Sequence, residues 1–502
     1  MKRRFVVRIT AAVILSAAAF HLQGCRVSTP QTDMQNAVES TPVQVHQKTE
    51  GEKTATYSEA EEKAEQSSEA SSQVSEEDGR EDDGESVSPI DGVKIIIGTD
   101  VHYLAEEYTD YGEAFQRMVD YGDGRLVTYM DQITDEFLTE VIEEQPEALI
   151  LSGDLSSNGE KRSHEALAEK LRQVEDAGIP VLVIPGNHDI NNTNAKGFQG
   201  DSTYPVEYTS PEEFAWIYRD YGYDEALSRD EGTLSYTYQL NDDIRLLMLD
   251  TCQYHEGYAK VGGAIMPDTY DWIETQLEDA WNSDMFVIPV AHHNLLDESE
   301  IYVQDCTIEH SSQLIEKLEG WEISLFLSGH LHVQHMMEEE GTYPIREIVT
   351  GSLTTPKCHY GILTYQDNEN YDYTTRQVNV ERWAREHGSS KMDLLEFDAY
   401  GEPFLRKVFR NQAAKVLQKI PEITSEERAQ MCVFYAKLND YYYQGRAVDI
   451  RDEALKDPAF TLWQEKAYGT VLNEYILSIL DDAVRDYNHL SVREGETVLF
   501  GQ

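Results

Sequence analysis

Short apolar runs alternate with amphipathic segments through residues 93–329. Continuous apolar runs of this length are typical of buried strands, whereas apolar residues that recur every three or four positions indicate helices packed on one face. Strands that alternate with helices predict an α/β domain. The predicted strands are VKIIIGT (93–99), ALILSG (148–153), VLVIPG (181–186), IRLLMLD (244–250), FVIPVA (286–291) and ISLFLSG (323–329), and the predicted helices are 130–144, 163–177 and 269–281.

The pattern changes after the last of these strands. IREIVTGS (345–352), YGILTY (360–365) and YDYTTRQVNVERW (371–383) read as further strands that complete a second sheet. Helical spacing follows over 404–420, a capping box stands at TSEE (424–427), and an apolar stripe runs over 462–484. These features predict a small C-terminal helical domain. It could cap the face of the α/β domain that carries a functional site, mediate dimerisation or pack elsewhere against that domain, and the sequence leaves all three open.

The N-terminus has the pattern of a targeting signal. Three basic residues precede an apolar stretch ending at Phe20, which is too short to span a membrane but typical of a secretory signal. The stretch closes on LQGC (22–25), which resembles the lipobox of bacterial lipoproteins and would make Cys25 the lipidated first residue. The alternative is a plain signal peptide with an incidental cysteine. The lipobox predicts an extracytoplasmic protein anchored to the cell membrane.

Residues 26–90 differ in composition from the rest of the chain. The stretch EASSQVSEEDGREDDGES (69–86) offers almost nothing to bury, so it cannot offset the entropy of ordering and is expected to be disordered. We interpret it as a charged tether between the lipid anchor and the folded part of the chain, with an interaction tail as the alternative. The predicted organisation is a signal over 1–25, the tether over 26–90, an α/β domain over 91–385 and a helical domain over 386–502.

The net charge of the chain restricts the kinds of molecule that it can bind. The chain has 41 Lys and Arg against 93 Asp and Glu, a net charge of -52, which argues against a nucleic-acid-binding surface. A phosphate substrate is still compatible with this charge if bound cations supply the positive field.

Polar side chains follow five of the predicted strands, at the point where each strand ends. In open α/β sheets, ligand sites form beyond the carboxyl ends of the strands, so we expect these side chains to converge. A single fragment could be a turn or a buried histidine, but neither explains five fragments that all stand at strand ends. The fragments are Asp100-Val101-His102, Gly153-Asp154, Gly186-Asn187-His188-Asp189, His292-His293 and Gly329-His330-Leu331-His332.

Carboxylates, an amide and several imidazoles form a mixed oxygen and nitrogen set that suits Zn, Mn or Fe. The set is large enough for two transition-metal ions if one carboxylate bridges them.

The series D-x-H, G-D, G-N-H-D, a further His and G-H-x-H resembles the calcineurin-like metallophosphoesterase superfamily, over about residues 93–383. The stretch GDLSSNGEKRSH (153–164) is similar to the cyclic-nucleotide phosphodiesterase branch. The resemblance implies a four-layer αββα sandwich that holds a dinuclear metal centre. It also implies that the two ions lower the pKa of a water molecule between them, and that the resulting hydroxide attacks phosphorus in line.

The resemblance further implies a role for each matching position. The first metal would take Asp100, His102, Asp154 and His332, and the second Asp154, Asn187, His292 and His330, with Asp154 bridging. His293 could replace His292, because the histidine is doubled. The catalytic histidine falls on His188, which would stabilise the transition state or protonate the leaving group, and Asp189 would orient it.

The sequence leaves the substrate open. A small-molecule phosphodiester is favoured over a phosphomonoester, and a non-catalytic binding protein that reuses the fold is the alternative. The segment 103–128 is long enough for a lid. Further candidates for the rim of the site, each also compatible with a structural role, are Tyr103, Asn158, Tyr254 and His359.

Overall fold

Two mixed seven-stranded sheets form the centre of the molecule. The structure is a computed structural model that describes residues 90–339 and 344–500, apart from the side chains of 499 and 500. The first sheet has the order β16-β15-β14-β13-β1-β2-β3, the second has the order β11-β12-β10-β9-β8-β7-β6, and β4 and β5 form a separate hairpin. The strands are β1 (Val93–Gly98), β2 (Ala148–Ser152), β3 (Val181–Ile184), β4 (Lys196–Gln199), β5 (Ser202–Pro205), β6 (Ser228–Arg229), β7 (Tyr236–Gln239), β8 (Ile244–Leu249), β9 (Phe286–Ala291), β10 (Leu325–Ser328), β11 (His335–Glu338), β12 (Arg346–Val349), β13 (His359–Asp367), β14 (Asn370–Gln377), β15 (His489–Arg493) and β16 (Glu496–Phe500).

Helices cover the outer faces of both sheets, and further helices follow the second sheet in the chain. In chain order they are α1 (Glu113–Tyr121), α2 (Met130–Glu144), α3 (Lys161–Asp176), α4 (Pro211–Ile217), α5 (Pro267–Asn282), α6 (Val303–Cys306), α7 (Ser311–Gly320), α8 (Val380–Glu386), α9 (Met392–Leu395), α10 (Phe397–Leu417), α11 (Ser425–Tyr443), α12 (Val448–Ala454), α13 (Pro458–Lys466) and α14 (Val471–Asp482). A short 3-10 helix (Glu106–Tyr108) and a π-helical turn (Arg219–Tyr223) lie in the connections.

Strand β8 shows how the layers are built. Leu246 and Met248 lie in the core between the sheets, whereas Leu247 and Leu249 pack in a second core with residues of α5 and α7. Successive side chains of a strand point to opposite faces, so a strand covered on both faces is apolar over most of its length, as β8 is apart from Arg245. The predicted αββα sandwich is therefore confirmed, with the first sheet covered by α2 and α3.

The parallel strands determine where the polar residues that follow them meet. Strands β1, β2 and β3 are parallel neighbours in the first sheet, and β8, β9 and β10 are parallel neighbours in the second. Hence the carboxyl ends of the strands within each group meet at one edge of the sheet. All six correspond to predicted strands, with ends that differ by at most two residues.

The C-terminal helices have a hydrophobic core of their own, which includes Phe409, Trp463 and Ile476. Thr424 caps α11 as predicted, since its side chain accepts a hydrogen bond from Glu427 N while the Glu427 carboxylate accepts one from Thr424 N. The helix predicted over 404–420 begins earlier, at Phe397, with Pro403 inside it. The stripe over 462–484 forms two helices, α13 and α14.

Three predictions about the C-terminal part were wrong. Of the strands expected to complete the second sheet, only β12 lies there, because β13 pairs antiparallel with β1 of the first sheet and β14 pairs with β13. The end of the supposed strand 371–383 is helix α8, which Asn379 caps through a hydrogen bond from Arg382 N. The segment assigned to the helical domain also returns to the first sheet, because β15 pairs antiparallel with β14 and β16 pairs with β15. The sheet is thus completed from the far end of the chain.

The predicted signal, Cys25 and the tether lie outside the described residues. Among the residues that the structure describes, no helix is both long and apolar enough to cross a bilayer.

Candidate metal centre

The loops that follow β1, β2, β3, β9 and β10 meet at one place. Two groups of donor atoms lie there, each with its atoms within 4.8 Å of one another, and Asp154 belongs to both. Asn187 joins the second group, since its Oδ1 lies 3.2 Å from His292 Nε2. The first group is Asp100, His102, Asp154 and His332, and the second is Asp154, His292 and His330.

The backbone at these residues is held in an uncommon conformation. Asp100, His102, Asp154, His330 and His332 all have positive φ angles, between 47° and 73°. Non-glycine residues adopt this region at a cost, and such strain persists where the surroundings fix it, often at functional sites. Gly186 permits the close approach of the third loop, because a Cβ there would lie 2.2 Å from Asp154 Oδ1.

The first group contains a carboxylate oxygen without a partner. Asp100 Oδ2 accepts hydrogen bonds from Thr99 Oγ1 (2.8 Å) and His330 N (3.0 Å). Oδ1 is buried and has no hydrogen-bond partner within the described part of the chain, while His332 Nε2 lies 3.3 Å away. A buried carboxylate oxygen is costly unless it is paired or coordinates a cation. The donor set therefore fits a metal ion.

The second group brings nitrogen lone pairs face to face. His292 Nδ1 bonds Ser152 O at 2.9 Å and His330 Nε2 bonds Asp305 O at 2.8 Å, so these nitrogens carry the protons. In the neutral rings, the lone pairs of His292 Nε2 and His330 Nδ1 then oppose each other across 3.2 Å. A metal ion or a proton between the rings would remove this repulsion. Metal-binding histidines use the same pattern, with the far N–H donated to a carbonyl.

Asp154 lies between the two groups. Its Oδ2 is 3.7 Å from His102 Nε2 and 3.5 Å from His292 Nε2, while Oδ1 accepts a hydrogen bond from His188 N at 2.8 Å. Burial alone would raise the pKa of Asp154, but the imidazoles of His292 and His188 outweigh burial and hold this pKa well below its usual value. Conversely, burial lowers the pKa of His292, and Asp154 raises it to about 9. The carboxylate is thus ionised and available to cations on both sides.

His188 lies beside the groups but faces them with one nitrogen only. Its Nδ1 bonds Ser157 O at 2.8 Å, and its Nε2 lies 4.0 Å from Asp154 Oδ2. The side chain is 22% exposed, so it can reach a bound molecule. A ring held by a backbone carbonyl presents a fixed nitrogen for proton transfer.

The prediction that Asp189 orients His188 was wrong. The buried Asp189 carboxylate accepts hydrogen bonds from Leu155 N, Ser156 N, Ser156 Oγ and Gly186 N. Ser157 O orients the imidazole instead. Asp189 ties the loop after β2 to the loop after β3, because a carboxylate can accept several backbone donors at once.

The hydrogen bonds of His292 and His293 show which of the two histidines faces the donor groups. His293 bonds Thr251 Oγ1 (2.7 Å) and Val261 O (2.9 Å), so both of its nitrogens are engaged away from the two groups. His292 is therefore the one that faces Asp154.

The other rim candidates have structural contacts. Tyr103 donates to Asp131 at 2.7 Å and Tyr254 donates to Asp250 at 2.5 Å, while Asn158 lies in the turn before α3. Burial lowers the pKa of His359 to about 4. The segment 103–128 forms the 3-10 helix and α1 rather than one long loop.

The C-terminal helices support the last histidine loop, which the sequence did not reveal. Leu331 and Val333 alternate with the two histidines and pack in the core of the C-terminal helices. Gln334 N donates to Tyr443 O at 3.2 Å. In the sequence, histidines alternate with apolar residues from 330 to 333, which indicates that one side of this loop is buried. The alternation does not indicate which helix or strand covers that side.

Comparisons with known proteins agree with this arrangement. A family model described as calcineurin-like phosphoesterase matches residues 93–334, and one described as the C-terminal domain of cyclic nucleotide phosphodiesterase matches residues 379–486. A probable cyclic nucleotide phosphodiesterase from a Synechococcus strain is 23% identical over 193 residues, or 37% of this chain and 58% of that protein. This chain thus spans less than two thirds of that relative's length.

Two solved structures are similar in part. A dimetal phosphatase from Danio rerio matches with a TM-score of 0.42 and 13% identity, over 57% of this chain and 97% of that chain. GAP50, the anchor in the inner membrane complex of Plasmodium, matches with a TM-score of 0.32 and 14% identity, over 57% and 84%. The calcineurin-like family match begins with β1 and ends two residues after His332, so it contains every clustered donor. Residues 93–334 of this chain belong to the calcineurin-like metallophosphoesterase superfamily.

Proposed function

We propose that this protein is a metal-dependent phosphoesterase with two transition-metal ions. One observation carries the proposal: two groups of buried donors share Asp154, and a cation between the opposed nitrogens of the second group would remove their repulsion. Asp100, His102, Asp154 and His332 would hold one ion, and Asp154, Asn187, His292 and His330 the other. Two ions bound there would lower the pKa of a water molecule and offset the charge of the phosphoryl oxygens.

The protein's own residues would hold the donors in position and supply a proton. The loops fix the donors in place before substrate binds, so little reorganisation accompanies the reaction. His188, held by Ser157 O, presents Nε2 on the side of Asp154. From there a protonated imidazole donates to the leaving oxygen or stabilises charge that develops on the phosphoryl group, a contribution of about 10²–10⁴-fold.

Among phosphoesters, we favour a small phosphodiester over a monoester. The match of residues 379–486 to a phosphodiesterase C-terminal domain and the name of the Synechococcus relative support this choice. Cyclic nucleotides are the substrate class that both point to. The ions themselves would be Mn, Fe or Zn, since the donors are imidazoles with a few oxygens.

A substrate panel on the metal-reconstituted full chain tests the activity. Cyclic nucleotides, nucleoside monophosphates, glycerophosphodiesters and bis-p-nitrophenyl phosphate should separate diesters from monoesters. We expect diester hydrolysis that a chelator abolishes and added metal restores. Binding of these compounds without turnover, under every metal tested, would favour the non-catalytic alternative.

We also propose an extracytoplasmic location, with the protein held to the membrane through lipid on Cys25. The basic and apolar N-terminus, LQGC at 22–25 and the acidic stretch after it support this location. Stable anchoring requires more than one acyl chain. The substrates would then be phosphoesters outside the cytoplasm.

Fractionation tests the location. The wild type should sediment with membranes and be cut by protease added to intact cells or spheroplasts, and Cys25→Ser should block lipid-dependent processing. Recovery of full activity from the cytosol without detergent, with residues 1–25 still attached, would overturn the proposal.

A further inference from the structure

A positively charged side chain lies beside the first donor group in an otherwise very acidic chain. Arg125 belongs to the segment GDGRLVT (122–128), which connects α1 to α2. Its side chain is only 11% exposed. Its Nε donates to Asp123 Oδ1 at 2.7 Å. Nη1 is buried and has no acceptor within hydrogen-bond distance among residues 90–339 and 344–500.

The segment is held on both sides of Arg125. Leu126 N donates to Thr354 O at 2.7 Å, and Thr354 Oγ1 donates to Asp100 O at 3.1 Å, which ties the segment to a residue of the first donor group. On the other side, Gln412 Nε2 of α10 donates to Gly122 O at 3.4 Å. Gly124 has a φ of 96° and leaves room for Leu405, whose Cδ1 would lie 2.5 Å from a Cβ there. The sandwich and α10 thus fix the position of Arg125.

The positive charge of the guanidinium affects the pKa of a histidine in the first donor group. Burial chiefly, and then the charge of Arg125, holds the pKa of His102 well below its usual value. The hydrogen bonds from Leu126 N to Thr354 O and from Thr354 Oγ1 to Asp100 O attach the segment that carries this guanidinium to the same donor group.

Within the described residues, this buried guanidinium nitrogen has no acceptor, and close to the proposed centre it is suited to bind an anion. Guanidinium groups form short, directional hydrogen bonds to phosphate oxygens, and they keep their charge at any physiological pH. Asp123 occupies the Nε edge and fixes the plane of the group, which leaves Nη1 for a second acceptor.

We infer that Arg125 binds a phosphoryl oxygen of the substrate through Nη1 and so positions phosphorus over the centre. This inference rests on the proposed phosphoesterase function. It assigns a substrate-binding residue to the connection between α1 and α2, and it gives α10 of the C-terminal helices a role in substrate binding, because α10 holds that connection in place.

The test compares Arg125→Ala and Arg125→Lys with Asp123→Asn and a control, Arg385→Ala. Arg385 is also paired with a carboxylate, Glu381, but it is 60% exposed and lies on α8. For each metal-loaded full-length variant, we would measure kcat/KM with bis-p-nitrophenyl phosphate, the Kd for inorganic phosphate by calorimetry, metal content and Tm.

Arg125→Ala should lower kcat/KM at least about tenfold and weaken inorganic phosphate binding by a similar factor, with metal content unchanged. Arg125→Lys should recover only part of this loss, because an ammonium group cannot keep the Asp123 contact and reach the phosphate in the same geometry. Asp123→Asn should lose less than Arg125→Ala, since it keeps the guanidinium and removes only the charge that holds its plane. Arg385→Ala should match the wild type.

Several results would overturn the inference. Phosphate binding by Arg125→Ala equal to that of Arg385→Ala would show that the side chain does not touch phosphate. If Arg125→Ala does not fold, wild-type phosphate affinity in Arg125→Lys would show that the directional contact through Nη1 is not made. Equal losses in Asp123→Asn and Arg125→Ala would show that only the ion pair matters. Because phosphate binding needs no turnover, a wild type that binds phosphate but hydrolyses nothing would count against the proposed function and leave Arg125 separately tested.

Discussion

His292 and His293 are adjacent in the chain but have opposite surroundings. Ser152 O holds the Nδ1 proton of His292 and leaves Nε2 facing Asp154, whereas Thr251 and Val261 engage both nitrogens of His293. The sequence placed both residues at the end of one strand and could not choose between them. The choice depends on acceptors that stand more than thirty residues away in the chain, which no local pattern contains.

His188 offers the sharpest test at this scale. Replacing it in His188→Ala should lower kcat at least about tenfold while metal content stays near wild type, because the ring assists the reaction and is not a member of either donor group. Steady-state kinetics and elemental analysis on the same preparation measure both quantities. His387→Ala, which removes an exposed histidine that directly follows α8, is the control. Loss of metal from His188→Ala would show that the histidine is a ligand instead.

At the scale of elements, the segment from His330 to Val333 joins two parts of the molecule. Its two histidines belong to the donor groups, while Leu331 and Val333 pack among the C-terminal helices. The positions of the histidines therefore depend on a core that forms more than seventy residues later in the chain.

Val333→Ala tests this dependence. We expect the free energy of unfolding to fall by about 2 kcal/mol, as for other buried truncations, and metal affinity to fall as well because the cavity lies next to His332. Urea denaturation and metal titration provide the two measurements. Val492→Ala, in a fully buried position of β15, should lose stability without losing metal affinity. Unchanged metal affinity in Val333→Ala would contradict the role of the C-terminal helices.

The sequence predicted elements well where each pattern is strong and local. Helix α2 has the predicted bounds, and the six buried strands differ from prediction only at their ends. The residues of β15 and β16 carried no such signal, since their partners in the sheet are β14 and each other rather than neighbours in an α/β repeat. Arg125 was missed for a similar reason: its significance comes from Thr354 and α10, which reach it only in the folded chain.

At the scale of the whole molecule, a buried ionic network joins the sandwich to the C-terminal helices. His335 on β11 bonds Glu298 through Nδ1 and Asp482 at the end of α14 through Nε2, the latter at 2.9 Å. Burial alone would lower the pKa of His335, but the two carboxylates raise it to about 10. A buried ion pair of this kind is costly to break, because the remaining partners are left as uncompensated charges.

Stability should therefore depend on pH through His335. A histidine whose pKa is raised on folding stabilises the protein fully below its unfolded pKa of about 6.5, and this contribution is lost as pH rises toward the folded value of about 10. The free energy of unfolding from urea denaturation should fall across this window. His335→Gln should be less stable at pH 6 and should show a flatter slope, whereas His387→Gln should keep the wild-type slope. A wild-type slope in His335→Gln would refute the assignment.

The metal content of Asp154→Asn tests the central claim most directly, because one carboxylate is assigned to two ions. After reconstitution with Mn, Fe or Zn, elemental analysis of the wild type should find about two ions per chain, and Asp154→Asn should lose metal at both positions together with hydrolysis of bis-p-nitrophenyl phosphate. Asp279→Asn, which removes a carboxylate that is 62% exposed and paired with Arg245, should keep both ions and the activity. A wild type that binds no metal and hydrolyses its substrate in chelator, or an Asp154→Asn variant that keeps both ions, would contradict the account.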